Sequence, residues 1–157
     1  MPIIFAGGDL FATPGLQALG HGVNCGGATG AGIAIEFKKR YPGMYKQYKA
    51  LCKNGGLLPG DVFAWHGNDI TVFNLATQKH WNTGATPEAV KDSVTKMLNL
   101  AEKMAIHEIA LPRIGAGLGG LEWDDVKSLL ATLAADSSIT LLIAEEFVPG
   151  QSLRAIL

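Results

Sequence analysis

Two hydrophobic periods alternate along this chain. Short apolar runs with the length of β-strands occupy residues 2–6, 19–24, 61–65, 70–76, 108–111 and 139–144. Apolar residues recur with helical spacing in residues 44–53, 86–101 and about 123–135. In residues 33–40 the apolar spacing is ambiguous, but the alanines, Glu36 and the lysines favour a helix. Thr86 and Pro87 are typical of a helix start, and Pro42 is expected to stop the first helix. Strands that alternate with helices predict an α/β fold.

The third and fourth strand-like runs lie close together in the sequence. Residues 66–69 separate them, so we predict a β-hairpin with His66 as a turn residue. The first run, 2–6, ends at a Gly-Gly-Asp turn and is predicted to be an edge strand. One hairpin among strand–helix alternations indicates a mixed sheet sandwiched by helices.

Length and composition are those of one folded domain, predicted to span residues 1–157. The 157 residues are 48% hydrophobic and 17% charged, which is well away from disordered compositions. No secretory signal or membrane-spanning run is present, so we expect a cytoplasmic protein that does not contact membranes and is a monomer. Cys25 and Cys52 are expected to be free thiols, and neither a cofactor nor a metal site is predicted.

Charge is distributed unevenly along the chain. The formal net charge is -1, so no overall field would draw the protein onto nucleic acid. Basic residues nevertheless cluster at Lys38, Lys39, Arg40, Lys46, Lys49 and Lys53. We interpret this cluster as a solvated helical face, with a nucleic-acid-facing patch as the alternative; nucleic-acid contact is possible but is not predicted.

Two glycine-rich loops carry the candidate chemistry. Gly115, Gly117 and Gly120 fit the pattern GxGxxG between a predicted strand and a predicted helix. Only about a quarter of the chain follows this motif, which is too little for a dinucleotide-binding domain. A second loop, residues 26–32, also joins a strand to a helix, so the two loops could enclose a diphosphate from both sides. The alternative is that the glycines serve only tight turns.

These motifs together resemble the macrodomain family. The matching segments are residues 8–11, 23–25, 30–34, 37–39 and 111–121, with Trp123. The chain looks most similar to the branch that contains terminal ADP-ribose protein glycohydrolase and the DNA-ADP-ribosyl glycohydrolase antitoxins. The resemblance implies a three-layer α/β sandwich around a mixed six-stranded sheet, and ADP-ribose or an ADP-ribosylated macromolecule as partner.

The resemblance also implies a set of ligand contacts. Asp9 would accept a hydrogen bond from the adenine amino group, although a turn or helix cap would equally explain a carboxylate there. Asn24 would bind the distal ribose, and Phe147 would lie near adenine or simply pack. The full set of implied ADP-ribose contacts is Asp9, Leu10, Asn24, Gly30, Gly32, Ile33, Thr77, Arg113, Gly115, Ala116, Gly117, Leu118 and Gly119.

Catalysis is the least determined part of the resemblance. In the related glycohydrolases a lysine directly after the equivalent of Thr77 attacks the ribose, whereas this chain has Gln78 there, followed by Lys79. The protein-directed enzyme has an Asp where this chain has Gly119. Candidate catalytic residues are Lys79, Gln78 and His80.

Three hypotheses follow for the function. The first is a hydrolase that removes mono-ADP-ribose from modified acidic side chains of proteins, and the second is a non-catalytic ADP-ribose reader. The third is a glycohydrolase that acts on ADP-ribosylated thymidine in DNA; Lys79-His80-Trp81 and the basic helix favour it, whereas Gln78 weakens it.

Overall fold

A single six-stranded sheet organises the molecule. The computed structural model describes residues 2–28, 32–117 and 119–154. The strands are β1 (Ile3–Gly8), β2 (Ala18–Asn24), β3 (Val62–His66), β4 (Thr71–Gln78), β5 (Glu108–Leu111) and β6 (Thr140–Phe147). Their spatial order is β1-β6-β5-β2-β4-β3, with β3 antiparallel to β4 and all other neighbours parallel. The predicted mixed sheet, its hairpin and its first edge strand are confirmed.

Helices cover both faces of the sheet, as predicted. They are α1 (Ala34–Arg40), α2 (Pro42–Lys53), α3 (Pro87–Lys103) and α4 (Trp123–Ala135), and Leu10–Ala12 forms one 3₁₀ turn. The Thr86 hydroxyl accepts a hydrogen bond from the Ala89 N–H at 3.1 Å, so the predicted helix cap is confirmed. No helix in the described part of the chain is long and apolar enough to cross a membrane.

Two boundaries differ from the sequence prediction. Pro42 was expected only to stop the first helix, but it is also the first residue of α2. Proline fits this position because its missing N–H would have no helical partner there. His66 is not a turn residue; it is the last residue of β3 and pairs with Thr71 of β4.

The apolar side chains form one core on each side of the sheet. Val90, Met97 and Leu130 of α3 and α4 pack on one face, and Phe37, Met44 and Tyr48 of α1 and α2 pack on the other. The central strand β4 is buried without interruption from residue 72 to residue 77. A strand covered on both faces has no polar alternation, which explains the continuous apolar run in its sequence.

His21 lies in the middle of β2 and is buried in the core. Its Nε2 is 2.7 Å from Oδ1 of Asn74, and its ring stacks on Phe37 at a centroid distance of 3.9 Å. Its Nδ1 has no hydrogen-bond partner among the described residues. Burial lowers the pKa of His21 to about 4, although the hydrogen bond that its Nε2 donates to Asn74 Oδ1 opposes this shift. His21 is therefore a neutral core residue at neutral pH.

The buried His21 predicts a loss of stability in mild acid. The unfolded chain binds a proton at the ordinary histidine pKa, whereas the folded chain does so only near pH 4. The contribution to stability is therefore complete above about pH 6.5 and falls by about 3 kcal/mol as the pH drops to about 4. Urea unfolding at a series of pH values should show this slope. We expect His21→Gln to flatten it and His66→Gln, on the exposed end of β3, to leave it unchanged.

Candidate functional site

The carboxyl ends of the parallel strands gather at one edge of the sheet. β2 pairs with both β4 and β5, and β6 lies between β5 and β1. The segments that follow β1, β2, β4, β5 and β6 are therefore neighbours in space. This is the edge at which open α/β sheets bind ligands. Both glycine-rich loops lie there, because they follow the adjacent strands β2 and β5.

Asn24, the last residue of β2, shapes the first glycine-rich loop. Its Oδ1 accepts hydrogen bonds from the N–H groups of Gly26 at 2.9 Å and Ala28 at 3.2 Å. Its Nδ2 donates to the Ala28 carbonyl at 2.8 Å. The Tyr48 hydroxyl donates to the Asn24 carbonyl at 2.6 Å, which anchors the strand end to α2. Asn24 thus holds the loop in place, and the sequence did not indicate this use of its amide.

Two thiols lie below this loop. Cys25 and Cys52 are unpaired and half-buried, in agreement with the prediction of free cysteines. Burial, with the neighbouring Cys52 second, raises the pKa of Cys25 to about 11, although the positive charge of Lys79 opposes the rise. Burial also raises the pKa of Cys52. Both groups are therefore neutral thiols at neutral pH, with little nucleophilic character.

The second glycine-rich loop is a tight turn built around two left-handed residues. Gly115 and Gly120 have φ values of 73° and 77°. The Leu121 N–H donates to the Gly115 carbonyl at 2.9 Å and closes the turn. A Cβ on Gly119 would lie 2.6 Å from the Gly115 carbonyl oxygen and 2.9 Å from Cβ of Ala85. Packing therefore leaves no room for a side chain such as Asp at this position.

Gly117 is the opposite case in the same loop. It is exposed, and a Cβ on it would meet no described atom within 4 Å. The neighbouring Ala116 is half-buried, and its N–H donates to the Arg113 carbonyl at 3.4 Å. The loop therefore has a rigid inner side at Gly119 and an open outer side at Gly117.

Several backbone N–H groups at this edge have no acceptor. Within residues 2–28, 32–117 and 119–154, nothing accepts from the N–H groups of Gly32, Ile33, Gly115 or Gly117. Unpaired backbone donors of this kind bind anions, since each N–H carries a partial positive charge. Two loops on adjacent strands thus present donors that have no partner among the described residues.

The loop after β4 holds the candidate catalytic residues, and Gln78 organises it. The Gln78 side-chain Nε2 donates to the carbonyls of His80 at 3.0 Å, Trp81 at 3.4 Å and Thr83 at 3.0 Å. The Thr83 hydroxyl accepts from the His80 N–H at 3.0 Å. Gln78 is therefore a clamp whose amide is directed toward the carbonyls of its own loop.

Lys79, His80 and Trp81 are exposed on this clamped loop. The Lys79 and Gln78 carbonyls both accept from the Cys25 N–H at 3.1 Å, which ties the loop to the first glycine-rich loop. A Cβ on Gly26 would lie 3.8 Å from Nδ1 of His80 and 3.5 Å from Oδ1 of Asn24. His80 and Asn24 thus both lie next to Gly26 of the first loop.

The other predicted contacts divide between the site edge and the core. Asp9 Oδ1 accepts from the Phe11 N–H at 3.0 Å, and Oδ2 accepts from the Gly150 N–H at 3.2 Å. The carboxylate therefore serves as the cap that the sequence left as an alternative. Leu10 and Thr77 are buried, so their side chains pack against the protein.

The surroundings of two side chains at the site edge, Arg113 and Phe147, could not be predicted from the sequence. The Arg113 guanidinium lies over the Trp123 ring at 5.3 Å. Phe147 is 67% exposed at the end of β6, so it does not serve the core. Gly30 and Leu118, both predicted contacts, lie outside the described residues.

Sequence reasoning missed the residues that support the loops rather than line them. Tyr48 and Ala85 fix the two glycine-rich loops, and Thr83 fixes the loop after β4. Their partners are distant in sequence or are backbone groups, so no local pattern marks them. Trp81, which the sequence analysis had already singled out in this polar loop, is 70% exposed.

Comparisons with known proteins agree with this architecture. The Macro domain family model matches residues 21–130. A DNA ADP-ribosyl glycohydrolase from Mycobacterium tuberculosis is 32% identical over 134 residues, which cover 83% of this chain and 38% of that protein. The human ADP-ribose glycohydrolase OARD1 is 30% identical over 140 residues, which cover 88% of this chain and 89% of that protein. The chain therefore spans about two fifths of the bacterial relative and most of the human one.

Solved structures give the same result. The macrodomain of Mycobacterium tuberculosis DarG superposes with a TM-score of 0.85 at 30% identity, covering 94% of this chain and 97% of that one. The structure described as Thermosipho africanus DarTG in complex with ADP-ribose has a TM-score of 0.76 at 22% identity, covering 88% of this chain and 40% of that one. The second match supports the fold alone.

Proposed function

This chain belongs to the macrodomain family, and we propose that it binds ADP-ribose at the site edge and hydrolyses the bond between the distal ribose and an acceptor. The observation that carries the proposal is a set of N–H groups on the two glycine-rich loops, at Gly32, Ile33, Gly115 and Gly117, from which no described residue accepts. Such donors neutralise a diphosphate without a basic side chain. We further propose that residues 1–157 form a single domain and act as a monomer in the cytoplasm.

The layout of the edge supports one orientation of the ligand. Adenine would lie at the β1–β6 side, where the exposed Phe147 offers a ring to stack on and Asp9 an acceptor. The distal ribose would lie at the β2–β4 side, where Asn24 and His80 converge beside Gly26. The diphosphate would then lie between the two loops.

The chemistry proposed is attack by water. The water oxygen bonds to the anomeric carbon of the distal ribose, His80 takes the proton, and the bond to the acceptor breaks with its electron pair on the acceptor. A carboxylate leaves as a stable anion and needs no acid, which fits a second loop that has Gly119 in place of Asp. Modified acidic side chains of proteins are therefore the first candidate substrate.

A nucleobase is the second candidate acceptor. The bacterial relatives are named DNA ADP-ribosyl glycohydrolases. In this chain the observation that favours such an acceptor is Trp81, which is 70% exposed on the loop next to the distal-ribose end. An exposed indole at that position is suited to stack on a base.

Two measurements test the proposed function. Calorimetry should show ADP-ribose binding at least about tenfold tighter than AMP, because AMP reaches only one side of the pair of loops. Hydrolysis assays with glutamate-linked, serine-linked and thymidine-linked ADP-ribose should show turnover of at least one. Equal affinity for ADP-ribose and AMP would refute the two-loop site. Tight ADP-ribose binding without turnover of any substrate would refute the hydrolase and support the hypothesis of a non-catalytic ADP-ribose reader.

A further inference from the structure

A groove on the α1 side of the sheet lies away from the site edge. It has a volume of about 510 Å³. Its walls are the segment that returns from the end of β1 to the start of β2, the end of α1, and the turn between β3 and β4. Leu16 lies two residues before β2 and Ile70 directly before β4, so the groove reaches the amino ends of these parallel strands. It is therefore separate from the glycine-rich loops, which follow the carboxyl ends of strands.

Three aromatic rings from three different segments line this groove. They are Phe11, Tyr41 and Trp65, and each is half-buried. The centroids of the Tyr41 and Trp65 rings are 5.7 Å apart, and the ring planes are tilted by 52°. A Cβ on Gly67 would lie 2.7 Å from Cζ3 of Trp65, so the indole packs directly on the backbone of the hairpin turn. The groove thus has an aromatic wall whose indole is fixed by packing.

Two of these rings carry polar atoms that no described residue contacts. Neither the Tyr41 hydroxyl nor Nε1 of Trp65 forms a hydrogen bond within the described part of the chain. Both atoms are in contact with solvent, because His21 Nδ1 is the one fully buried side-chain N or O without a partner among the described residues. Half-buried tyrosines and tryptophans usually find a partner for these groups. An aromatic wall with two such donors is suited to a ligand that offers carbonyl oxygens.

Two charged side chains line the groove, and they differ in their partners. On the α1 wall, the Arg40 guanidinium lies 4.5 Å from the centre of the Phe11 ring and pairs with Glu36 at 3.5 Å. On the hairpin wall, Asp69 is exposed. Within the described residues, Asp69 forms no ion pair and accepts no side-chain hydrogen bond. The charge left for a partner in this groove is therefore negative, which favours a cationic group.

We propose that this groove binds a proline-rich peptide segment that carries a basic residue. A polyproline II chain has no internal hydrogen bonds, so its carbonyls can accept from Tyr41 and Trp65 while its pyrrolidine rings pack on the aromatic wall. In a helix or a sheet those carbonyls already accept from other N–H groups. Proline also fixes φ before binding, which reduces the entropy lost on docking. The basic residue of the peptide then pairs with Asp69.

A small organic cation such as tetramethylammonium is the alternative ligand for this groove. It would use the ring faces and the carboxylate of Asp69. It has no acceptor, however, so the Tyr41 hydroxyl and the Nε1–H of Trp65 would play no part in its binding. The contribution of these two donors therefore distinguishes a peptide from a small cation.

The test uses the full chain and a fluorescent peptide of about nine residues, with one terminal arginine followed by prolines and a leucine at every third position. Fluorescence anisotropy should give a Kd on the order of 50 μM. A peptide with every proline replaced by alanine has the same charge and should bind at least about tenfold more weakly. Tyr41→Phe and Trp65→Phe each keep an aromatic ring but remove its donor, so each should weaken binding about fivefold. The matched control is Tyr45→Phe, which removes a hydroxyl from a ring outside this groove and should change nothing.

Asp69 tests the charge of the partner. Replacing the arginine of the peptide with glutamine should weaken binding about fivefold in the unmodified protein and very little in Asp69→Asn. Asp136→Asn, an equally exposed position at the end of α4, should keep the preference for arginine.

Three results would overturn the proposal: no binding of the proline peptide, equal affinity for the alanine peptide, or full binding by the double variant Tyr41→Phe and Trp65→Phe. The proposal does not rest on the proposed function, because the groove and the glycine-rich loops share no residue. ADP-ribose affinity, measured separately by calorimetry, should stay unchanged in all of these variants. If the unmodified protein binds the proline peptide but not ADP-ribose, the proposed function alone is wrong.

Discussion

Gly117→Glu is expected to abolish ADP-ribose binding and to leave the fold intact. The position is exposed, its φ is not in the left-handed region, and a Cβ there meets no described atom within 4 Å. We therefore expect the new side chain to change the free energy of unfolding very little. It would place a carboxylate beside the unpaired N–H groups that we assign to the diphosphate, so that charge repulsion and lost space act together. We expect a loss of at least about 100-fold, or roughly 3 kcal/mol, by calorimetry.

The matched control for this variant is Ser138→Glu. Ser138 is exposed in the turn before β6, at the opposite edge of the sheet, so it adds the same charge far from the loops. Its ADP-ribose affinity should equal that of the unmodified protein. Circular dichroism and thermal unfolding should be unchanged in both variants. If Gly117→Glu folds and still binds ADP-ribose, the assignment of the diphosphate to the second loop is wrong.

The fold was predictable from the sequence because its strongest signals are local. The bounds of β5 and α4 follow directly from a short apolar run and a helical spacing, and the cap at Thr86 is a local motif. The start of α2 was placed two residues late, because Pro42 fits both the stop of one helix and the first turn of the next.

The site was predictable only at the level of its loops. Glycine-rich segments after strands mark where a ligand approaches, and both loops do lie at one edge. What each polar side chain does there was not predictable. Asn24 was expected to face a ribose, yet its Oδ1 accepts from two loop N–H groups. The competition between a backbone partner and a ligand is decided by the loop's conformation, which no residue pattern encodes.

Gln78 shows the same limit with a consequence for catalysis. Its position suggested a lost lysine nucleophile, but its Nε2 contacts three carbonyls of the loop that carries Lys79 and His80. The residue is therefore a positioning group. Its removal should act on the chemistry through His80, because, within the described residues, the other hydrogen bonds that hold His80 all come from Thr83.

Gln78→Ala is expected to lower kcat about 100-fold on whichever ADP-ribosylated substrate the protein turns over, with KM nearly unchanged. A displacement of about 1 Å in a catalytic group costs this much, whereas the diphosphate contacts that set affinity lie on other loops. Gln78→Glu keeps the shape of the side chain but replaces the donor with an acceptor that faces carbonyl oxygens, so its loss should be at least as large.

Lys79→Ala is the matched control in the same loop, and it distinguishes water from a covalent mechanism. Lys79 is exposed, and the side-chain amide of Gln78, not the Lys79 amine, holds the loop. If water is the nucleophile, the kcat of Lys79→Ala should therefore stay within about threefold of that of the unmodified protein. Borohydride should then trap no adduct between sugar and protein, because no Schiff base forms. Loss of turnover in Lys79→Ala, together with a trapped adduct in the unmodified protein, would instead make Lys79 the nucleophile. In that case the effect of Gln78→Ala would arise because Gln78 positions that amine rather than His80.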